Sequence, residues 1–285
     1  MFTVLDKNFS GSLTNNIDDY PEGIVIPIDK PYRWTSADVI RKLKFAACRH
    51  FGKKKLKVGH AGTLDPLATG VLLVCVGNAT KQAEELQRHD KEYIAGVTFG
   101  ATTPSYDLEK EIDRIFPYEH ITAEAVAGVL KGFVGEQYQV APLFSAKSVE
   151  GIRAYELARK LLKDGALPEE ASELIRSSRI NISELELLHF QTNGHSISNA
   201  QKKEDTVSRA SSRINVTDNS NLGLPHADIR LACSKGTYVR AFARDLGEAL
   251  GSGAHLDALQ RSRSGQFRVA DSLSVDEAMT LLGQS

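Results

Sequence analysis

Hydrophobic residues alternate with polar ones, or run together, in six segments that predict β-strands. The clearest alternation is at residues 93–99, where one face of the strand carries Tyr93, Ala95, Val97 and Phe99. The other predicted strands cover residues 23–28, 71–76, 135–139, 179–190 and 227–233.

Apolar residues recur at helical spacing in six further segments. The first helix begins at Thr35, with Asp38 three residues later as in a capping box, and ends near residues 51–52. Its apolar positions are Val39, Leu43, Ala46 and Ala47. The other predicted helices cover residues 79–88, 122–130, 153–162, 238–250 and 275–282.

The helix at residues 238–250 has its apolar stripe on Val239, Phe242, Leu246 and Ala249, and Gly251 is a typical stop signal. Strands and helices alternate and intermingle along the whole chain. This order predicts an α/β or α+β fold with a mixed sheet.

Two polar segments lack such periodicity. Residues 1–22 are rich in Asn, Ser and Asp and are predicted to be a frayed N-terminal extension. Residues 192–225 have the composition of a disordered insertion. The length of 285 residues allows one domain or two. We interpret residues 23–285 as a single domain that contains this insertion.

The charges of the chain nearly cancel, because 35 Lys and Arg face 36 Asp and Glu. An overall surplus of positive charge, common in nucleic-acid-binding proteins, is therefore absent. Between residues 41 and 64, however, there are eight Lys or Arg and no acidic residue. This block includes Lys53, Lys54, Lys55 and Lys57. It is either a solvated basic face or a surface that contacts phosphates.

The longest apolar run, residues 71–76, has six residues, whereas a membrane-spanning helix needs about 20. The N-terminus lacks the apolar core of a secretory signal, so we expect a cytoplasmic protein without a membrane partner. Three cysteines, Cys48, Cys75 and Cys233, are far apart in apolar surroundings. They are interpreted as core thiols rather than a disulfide or a zinc site.

Residues 58–70 place three glycines and Pro66 around one carboxylate, that of Asp65. Such a loop presents a side chain rather than filling a core. Taken alone, an Asp before a Pro is often only a turn residue. The basic block that leads into this loop favours a functional role for Asp65.

Residues 233–240 form a strand-to-helix junction that carries Lys235, Tyr238 and Arg240. The free N–H groups of a helix start, together with Lys235, suit an anion. Arg240 is either a surface charge or a planar group that orients a carboxylate.

Four motifs in this order resemble the bacterial TruB-type tRNA pseudouridine synthases. They are GHAGTLDPLATGVL at residues 59–72, the Lys91, Tyr93 and Ala95 pattern, CSKGTYVR at residues 233–240, and AHLDALQRSRSGQF at residues 254–267. The resemblance covers residues 24–282. It implies the pseudouridine synthase fold, with a peripheral RNA-gripping insertion on the catalytic domain.

The resemblance also implies a role for each matching residue. Asp65 would be the catalytic aspartate, which acts at C1′ of a uridine at position 55 in the T-loop of tRNA. Tyr93 would stack on the flipped base, Tyr238 would be a second pocket aromatic, and Arg240 would pair with the aspartate. His60 and Leu259 would contact the T-arm RNA and the target nucleoside.

The chemistry of the residues agrees with this reaction. Breaking a glycosidic bond and remaking it needs one carboxylate, whereas hydrolysis usually needs two, and no second acid lies beside Asp65. A stacked base must be flipped out, and an aromatic ring such as that of Tyr93 compensates for the lost stacking. No metal or other cofactor is expected. The protein would be a monomer bound to the tRNA T-arm.

Three alternatives remain open: an RNA-binding or tRNA-folding protein without catalysis, a nucleoside hydrolase or glycosidase that uses Asp65, and a pseudouridine synthase that acts on another RNA. The chain also departs from the family pattern. Ala141 stands where a proline is common and Phe144 where a tyrosine is common, and Lys147 comes one residue early. The pattern Gly151, Arg153, Tyr155, Glu156, Ala158 and Arg159 is kept. Because the chain stops about 20 residues after the last motif, we expect no C-terminal PUA domain.

Overall fold

The computed structural model describes residues 2–142, 148–149, 152–153, 177–194 and 214–283. Of the helix predicted at residues 153–162, residues 154–162 lie outside the described residues, while Arg153 belongs to a short strand. Residues 195–213 of the predicted disordered insertion also lie outside them, as do residues 143–147, where the chain departs from the family pattern of the RNA-gripping insertion. The strands are β1 (Thr3–Val4), β2 (Ile24–Lys30), β3 (Val58–Ala61), β4 (Ala68–Val76), β5 (Lys91–Phe99), β6 (Ala101–Thr102), β7 (Arg114–Ile115), β8 (Gly135–Gln139), β9 (Ser148–Val149), β10 (Ile152–Arg153), β11 (Ser178–Gln191), β12 (His226–Cys233), β13 (Ala254–Ser264) and β14 (Phe267–Arg268). The helices are α1 (Ser36–His50), α2 (Ala83–Arg88), α3 (Ala123–Leu130), α4 (Val239–Ala249) and α5 (Val275–Leu281).

The chain divides into two compact units. Unit 1 comprises Met1–Tyr93, Glu204–Ile214 and Leu259–Ser285, and unit 2 comprises Ile94–Lys203 and Asn215–Ala258. Two strands, β5 and β13, have residues in both units.

The strands of unit 1 are centred on β4, whose residues are nearly all buried. β2 pairs antiparallel with β4 along one edge, and β1 pairs parallel with β2. Along the other edge of β4, β13 pairs parallel at residues 68–70 and β3 pairs antiparallel at residues 73–76. Parallel and antiparallel pairs in one sheet confirm the predicted mixed sheet.

Helix α1 has the predicted start and the predicted buried face. The Thr35 side chain accepts from the Asp38 N–H while Asp38 caps the Thr35 N–H, so both halves of the capping box are present. Val39, Leu43, Ala46 and Ala47 are fully buried. Burial of this apolar stripe, rather than local propensity, supplies most of the stability of such a helix.

The N-terminal segment differs from the frayed extension that the sequence predicted. β1 pairs with β2 through Thr3 and Val4, and Leu5 is fully buried. Phe2 and Val4 pack against a core cluster of unit 1 that includes Phe267. Four hydrophobic residues among the first five are too few for a periodicity signal, although their burial is sufficient to hold this segment.

Unit 2 contains the antiparallel ladder of β8, β11 and β12, in which β11 pairs with both neighbours. Phe99 at the end of β5 donates its N–H to the Pro225 carbonyl, just before β12. Helix α4 buries Val239, Phe242 and Leu246 as predicted.

Several boundaries and positions differ from the predictions. Residues 58–61 are strand β3 rather than loop, and residues 77–82 are a 3-10 turn that precedes the short helix α2. Ala249 is exposed instead of lying on the buried stripe of α4. Cys75 and Cys233 are buried free thiols, whereas Cys48 is only half-buried.

Within the described residues, no helix is long and apolar enough to cross a membrane.

Candidate active site

The Asp65 loop, residues 62–67, connects β3 to β4 in unit 1. It lies at the point where β4 changes partners, since β13 pairs with β4 up to Gly70 and β3 begins to pair at Leu73. Between these two points the carbonyl of Val71 needs a partner other than a neighbouring strand.

Arg261 on β13 places a buried guanidinium group on this edge of β4, between the pairings of β4 with β13 and with β3. Its Nε donates to the Val71 carbonyl at 2.6 Å, and its terminal nitrogens reach the carbonyls of Gly62 at 3.2 Å and Thr63 at 3.5 Å. The side chain is 1% exposed. Arg261 therefore holds the beginning of the Asp65 loop against the sheet.

Close packing of β4 and β13 also requires a glycine at position 70. Gly70 has a φ of +93°, and a Cβ there would lie 2.2 Å from the carbonyl oxygen of Arg261. Its N–H donates to Asp29 Oδ1 at 3.0 Å. A side chain at this position would push β13, and with it Arg261, away from the loop.

Lys30, the last residue of β2, holds the end of the same loop. Its Nζ donates to the Pro66 carbonyl at 3.2 Å and to the carbonyls of Pro31 and Trp34 at 2.9 Å and 2.6 Å. Burial lowers the pKa of Lys30 to about 7, although the charges of Asp65 and Asp29 oppose this shift.

Ser36 joins the middle of the loop to the start of α1. Its Oγ accepts from the Leu64 N–H at 3.0 Å and lies 3.1 Å from the Leu64 carbonyl, to which it donates. Leu64 is buried, whereas Thr63 is exposed and the next residue, Asp65, is half-buried. The loop thus presents Asp65 at the surface on a backbone held by Lys30, Ser36 and Arg261.

The structure brings Leu259 and His60 to the two strands that border this loop. Leu259 on β13 pairs with Ala68, three residues after Asp65, and is half-buried. His60 on β3 pairs with Val74. Burial and the nearby charge of Arg261 lower the pKa of His60. A neutral imidazole there offers one donor and one acceptor.

Tyr93 lies on β5 with 9% of its surface exposed, in line with the predicted apolar face. Two residues earlier, Lys91 is buried and donates to the carbonyls of Gln87 and His89, which fixes the start of the strand.

Lys53, Lys54, Lys55 and Lys57 are all exposed in the segment between α1 and β3. Of these, Lys53 lies 3.6 Å from Asp18.

In unit 2, Arg240 is buried in the first turn of α4. One terminal nitrogen donates to the Ser105 carbonyl at 3.2 Å and lies 3.6 Å from Asp107 Oδ2. Burial rules out the surface-charge interpretation, since Arg240 is only 6% exposed. The pairing of Arg240 with Asp65, which the family resemblance implies, stays a prediction.

Tyr238 is the N-cap residue of α4 and is half-buried. Its N–H donates to Gln139 Oε1 at 2.9 Å, so this N–H group at the helix start already has a partner. Lys235, in the turn before, is exposed. Gly236 in the same turn has a φ of +85°, which suits glycine.

Sequence reasoning missed four residues that build these two sites. Lys30, Ser36 and Arg261 hold the Asp65 loop, and Asp107 pairs with Arg240. The sequence pattern does not indicate that Arg261 and Lys30 are buried, because a charged residue beside an apolar strand is usually exposed.

A buried ionic cluster lies elsewhere in unit 2. His226 Nδ1 is 3.1 Å from Asp257 Oδ2 and its Nε2 is 3.3 Å from Asp228 Oδ1. Thr98 Oγ1 donates to Asp257 at 3.2 Å. Burial alone lowers the pKa of His226, but the bonds to Asp228 and Asp257 outweigh it and raise the pKa to about 9. The imidazole is therefore charged at neutral pH.

In the parts of the chain with described coordinates, no group of three or more His, Cys, Asp or Glu is placed to hold a metal ion. The predicted absence of a metal and of any other cofactor remains a prediction.

Comparison with known proteins identifies relatives of this chain. Residues 49–198 match the family model described as TruB family pseudouridylate synthase (N terminal domain). A protein of Phocaeicola vulgatus named tRNA pseudouridine synthase B is 47% identical over 266 residues, which cover 93% of this chain and 96% of that protein. A protein of the same name from Parabacteroides distasonis is 46% identical over 267 residues, which cover 94% and 96% of the two chains.

A solved structure of an H/ACA RNP bound to a substrate RNA containing 2′-deoxyuridine has the same fold as this chain. The TM-score is 0.55 at 20% identity, and the match covers 97% of this chain and 61% of that chain. The family match spans more than half of the 285 residues, and the sequence relatives match almost end to end. This chain therefore belongs to the TruB family of pseudouridylate synthases.

Proposed function

We propose that this chain isomerises uridine to pseudouridine at position 55 in the T-loop of tRNA, with Asp65 as the catalytic residue. Its family makes it an isomerase, and its relatives are named tRNA pseudouridine synthase B. The observation that carries the role of Asp65 is its placement. The half-buried carboxylate stands on a loop whose backbone is bound by Lys30, Ser36 and Arg261.

The reaction needs only one carboxylate. As the bond from C1′ to N1 of the uridine breaks, the Asp65 carboxylate bonds to C1′ or stabilises its positive charge. The released uracil rotates and its C5 bonds to C1′; where Asp65 is bonded to C1′, that bond breaks as C5 attacks and the carboxylate is restored. The C5 proton then leaves and N1 gains a proton. Substrate and product have the same atoms and oxidation state, so no co-reactant is consumed.

The remaining predicted site residues receive roles in binding the flipped nucleotide. Tyr93 stacks on the uracil, which offsets about 1 to 3 kcal/mol of lost stacking. Tyr238 and Arg240 are proposed contacts of the flipped nucleotide, while His60 and Leu259 contact the T-arm RNA and the target nucleoside. The burial of Arg240 supports a fixed guanidinium in this role.

The partner is the T-arm stem-loop of tRNA, and exposed lysines contact its backbone. These are Lys53, Lys54, Lys55 and Lys57 of unit 1 and Lys235 of unit 2. Local charge of this kind binds the RNA backbone without requiring a net positive protein. We further propose that residues 23–285 form one catalytic domain and that the protein is a cytoplasmic monomer.

Tritium release from a T-arm stem-loop labelled at uridine C5 tests the function. We expect release without any added cofactor, together with a pseudouridine product. Asp65→Asn should lower the rate by at least about a thousand-fold, because the amide cannot replace the carboxylate at C1′. Asp19→Asn, the same change at an exposed N-terminal position, serves as the matched control and should keep the wild-type rate.

Each alternative gives a different result in this assay. A hydrolase would release free uracil. A synthase for another RNA would form no pseudouridine in the T-arm stem-loop and would release no tritium from it. A binding protein without catalysis would bind the T-arm equally well with Asp65 or Asn at this position and release no tritium. Full activity of Asp65→Asn would show that Asp65 is not the catalyst.

A further inference from the structure

The exposed face of α1 carries an aromatic ring between two arginines. Arg41, Phe45 and Arg49 are spaced four residues apart, so their side chains form one stripe along the helix. Phe45 is 59% exposed, and the guanidinium carbon of Arg49 lies 5.7 Å from the centre of its ring. Phe45 therefore plays no part in the buried face of α1.

The stripe lies in a basic part of the chain that is only partly compensated by acidic residues, since Lys42 pairs with Asp276 and Lys53 with Asp18. Lys44 on the same helix and Lys54 and Lys55 in the segment after it are exposed. Arg41 forms an ion pair with Asp38 at 2.7 Å, but Lys44 and Arg49 have no acidic partner among the residues with described coordinates. A surface with this charge fits an anionic partner such as a nucleic-acid backbone.

The aromatic ring narrows the choice of partner. Single-stranded nucleic acids make two kinds of contact with proteins. Their bases stack on aromatic rings and arginine planes, and their phosphates contact basic side chains. Phe45 supplies the aromatic ring, and Arg49, whose guanidinium lies over that ring, supplies the cationic group. A membrane surface would need a larger apolar face than one phenyl ring.

The position of the stripe relative to Asp65 follows from helix geometry. Ser36, the first residue of α1, is bonded to Leu64 in the Asp65 loop. At a rise of about 1.5 Å per residue, Phe45 is roughly 13 Å and Arg49 roughly 20 Å further along the helix axis. The stripe is too far from the loop to touch the target base and close enough to reach the same RNA molecule.

We propose that Arg41, Phe45 and Arg49 form a second RNA-binding site, at which Phe45 stacks on an unpaired base of the substrate RNA outside its T-arm. This inference rests on the proposed function, since it assumes that a tRNA uridine is bound at Asp65. Bases within an A-form stem are already stacked on their neighbours. Because the site is proposed to contact a base outside the T-arm, it adds affinity for full-length tRNA and none for a T-arm stem-loop.

Binding and tritium release with both RNAs test this site. Phe45→Leu should raise the Kd for full-length tRNA at least about five-fold, as expected for one lost base stack. The same variant should leave the Kd and the rate with the T-arm stem-loop unchanged. Phe45→Trp should restore full-length tRNA binding, because indole also stacks. Ile115→Ala, which truncates an exposed apolar residue of unit 2, is the control and should bind both RNAs as the wild type does.

Three outcomes would overturn the inference. An unchanged Kd of Phe45→Leu for full-length tRNA would show that the ring contacts no base. An equal loss with both RNAs would place the contact within the T-arm. The wild type could also bind phosphatidylserine vesicles. If Phe45→Leu then lost this vesicle binding while its tRNA binding stayed unchanged, the partner would be a membrane. If the wild type releases no tritium from either RNA, the proposed function fails, whereas the Kd comparison still decides whether this face binds tRNA.

Discussion

Two fully buried basic side chains, Lys30 and Arg261, bind opposite ends of the loop that carries Asp65. Burying a charge is costly unless hydrogen bonds and opposite charges compensate for it. Here the partners are main-chain carbonyls, of which those of Pro66, Gly62 and Thr63 belong to the loop itself. The two side chains therefore stabilise one loop conformation, and Lys30 lies close enough to Asp65 for this carboxylate to oppose the lowering of the Lys30 pKa.

At the residue scale, Lys30→Met should reduce both stability and activity. The three carbonyls that Lys30 now binds would lose their donor while staying partly buried, which should lower the free energy of unfolding by about 2 to 4 kcal/mol. Because the Pro66 carbonyl would no longer be held, kcat should fall at least about tenfold. Urea unfolding and tritium release measure the two effects.

Lys81→Met removes an exposed lysine and is the matched control for this change. It should leave both measurements near those of the wild type. An equal kcat for Lys30→Met and the control would show that Lys30 does not position the loop.

At the scale of single elements, α1 could be predicted almost completely from the sequence. Its start is defined by the local Thr35 and Asp38 pair, and its inner face by the spacing of Val39 and Leu43. These signals depend only on neighbouring residues. The chain order of strands and helices likewise predicted the mixed sheet correctly.

The strands that build the Asp65 site were not predictable in this way. β3 is short and contains Gly59 and His60, and β13 includes Asp257 and Arg261 among its buried residues. Polar residues are buried there because distant parts of the chain supply their partners, such as the Gly62 carbonyl for Arg261. The local pattern of hydrophobic and polar residues therefore does not predict such partners. The motif resemblance indicated Asp65 itself, while the residues that hold its loop required the structure.

Gly70→Ala tests the junction of β4 and β13. The added methyl group would meet the Arg261 carbonyl oxygen at 2.2 Å on a backbone with a φ of +93°. Since backbone must move, we expect a loss of more than about 3 kcal/mol in the free energy of unfolding, and loss of tritium release.

Gly128→Ala in α3 is the control, because no atom lies within 4 Å of the added methyl group. Replacing a helical glycine should stabilise the protein by about 0.5 to 1 kcal/mol. A Gly70→Ala variant as stable as this control would contradict the close approach of the two strands. Thermal denaturation distinguishes the two results.

At the scale of the whole molecule, the net charge of −1 hides a strongly uneven distribution. Positive charge is concentrated between residues 41 and 64, and unit 2 contains a buried pair of aspartates around His226. Composition alone therefore argued too strongly against RNA. The structure divides the chain into two compact units. The interpretation of residues 23–285 as one catalytic domain stays a prediction.

The charged state of His226 should make stability depend on pH. Its pKa is about 9 when folded and about 6.5 in the unfolded chain, so the folded state holds the extra proton between these values. The stabilisation is complete below about pH 6.5 and is lost as the pH rises through 9. It amounts to on the order of 3 kcal/mol.

The variant His226→Gln should lack this dependence. The stability difference between the wild type and this variant should be largest at pH 6 and should shrink by pH 9.5, as measured by urea unfolding at both values. His89→Gln, at an exposed position, provides the control. A difference that stays constant with pH would mean that the imidazole is neutral in the folded protein.

The bonds from Lys30, Ser36 and Arg261 also affect the thermodynamics of association. A mobile loop loses conformational entropy when a ligand orders it, and this loss weakens binding. The loop at residues 62–67 undergoes that loss during folding, because its carbonyls are bound by the protein itself. A nucleotide that reaches Asp65 therefore meets a backbone already in place, and the entropy that remains to be lost belongs mainly to the RNA.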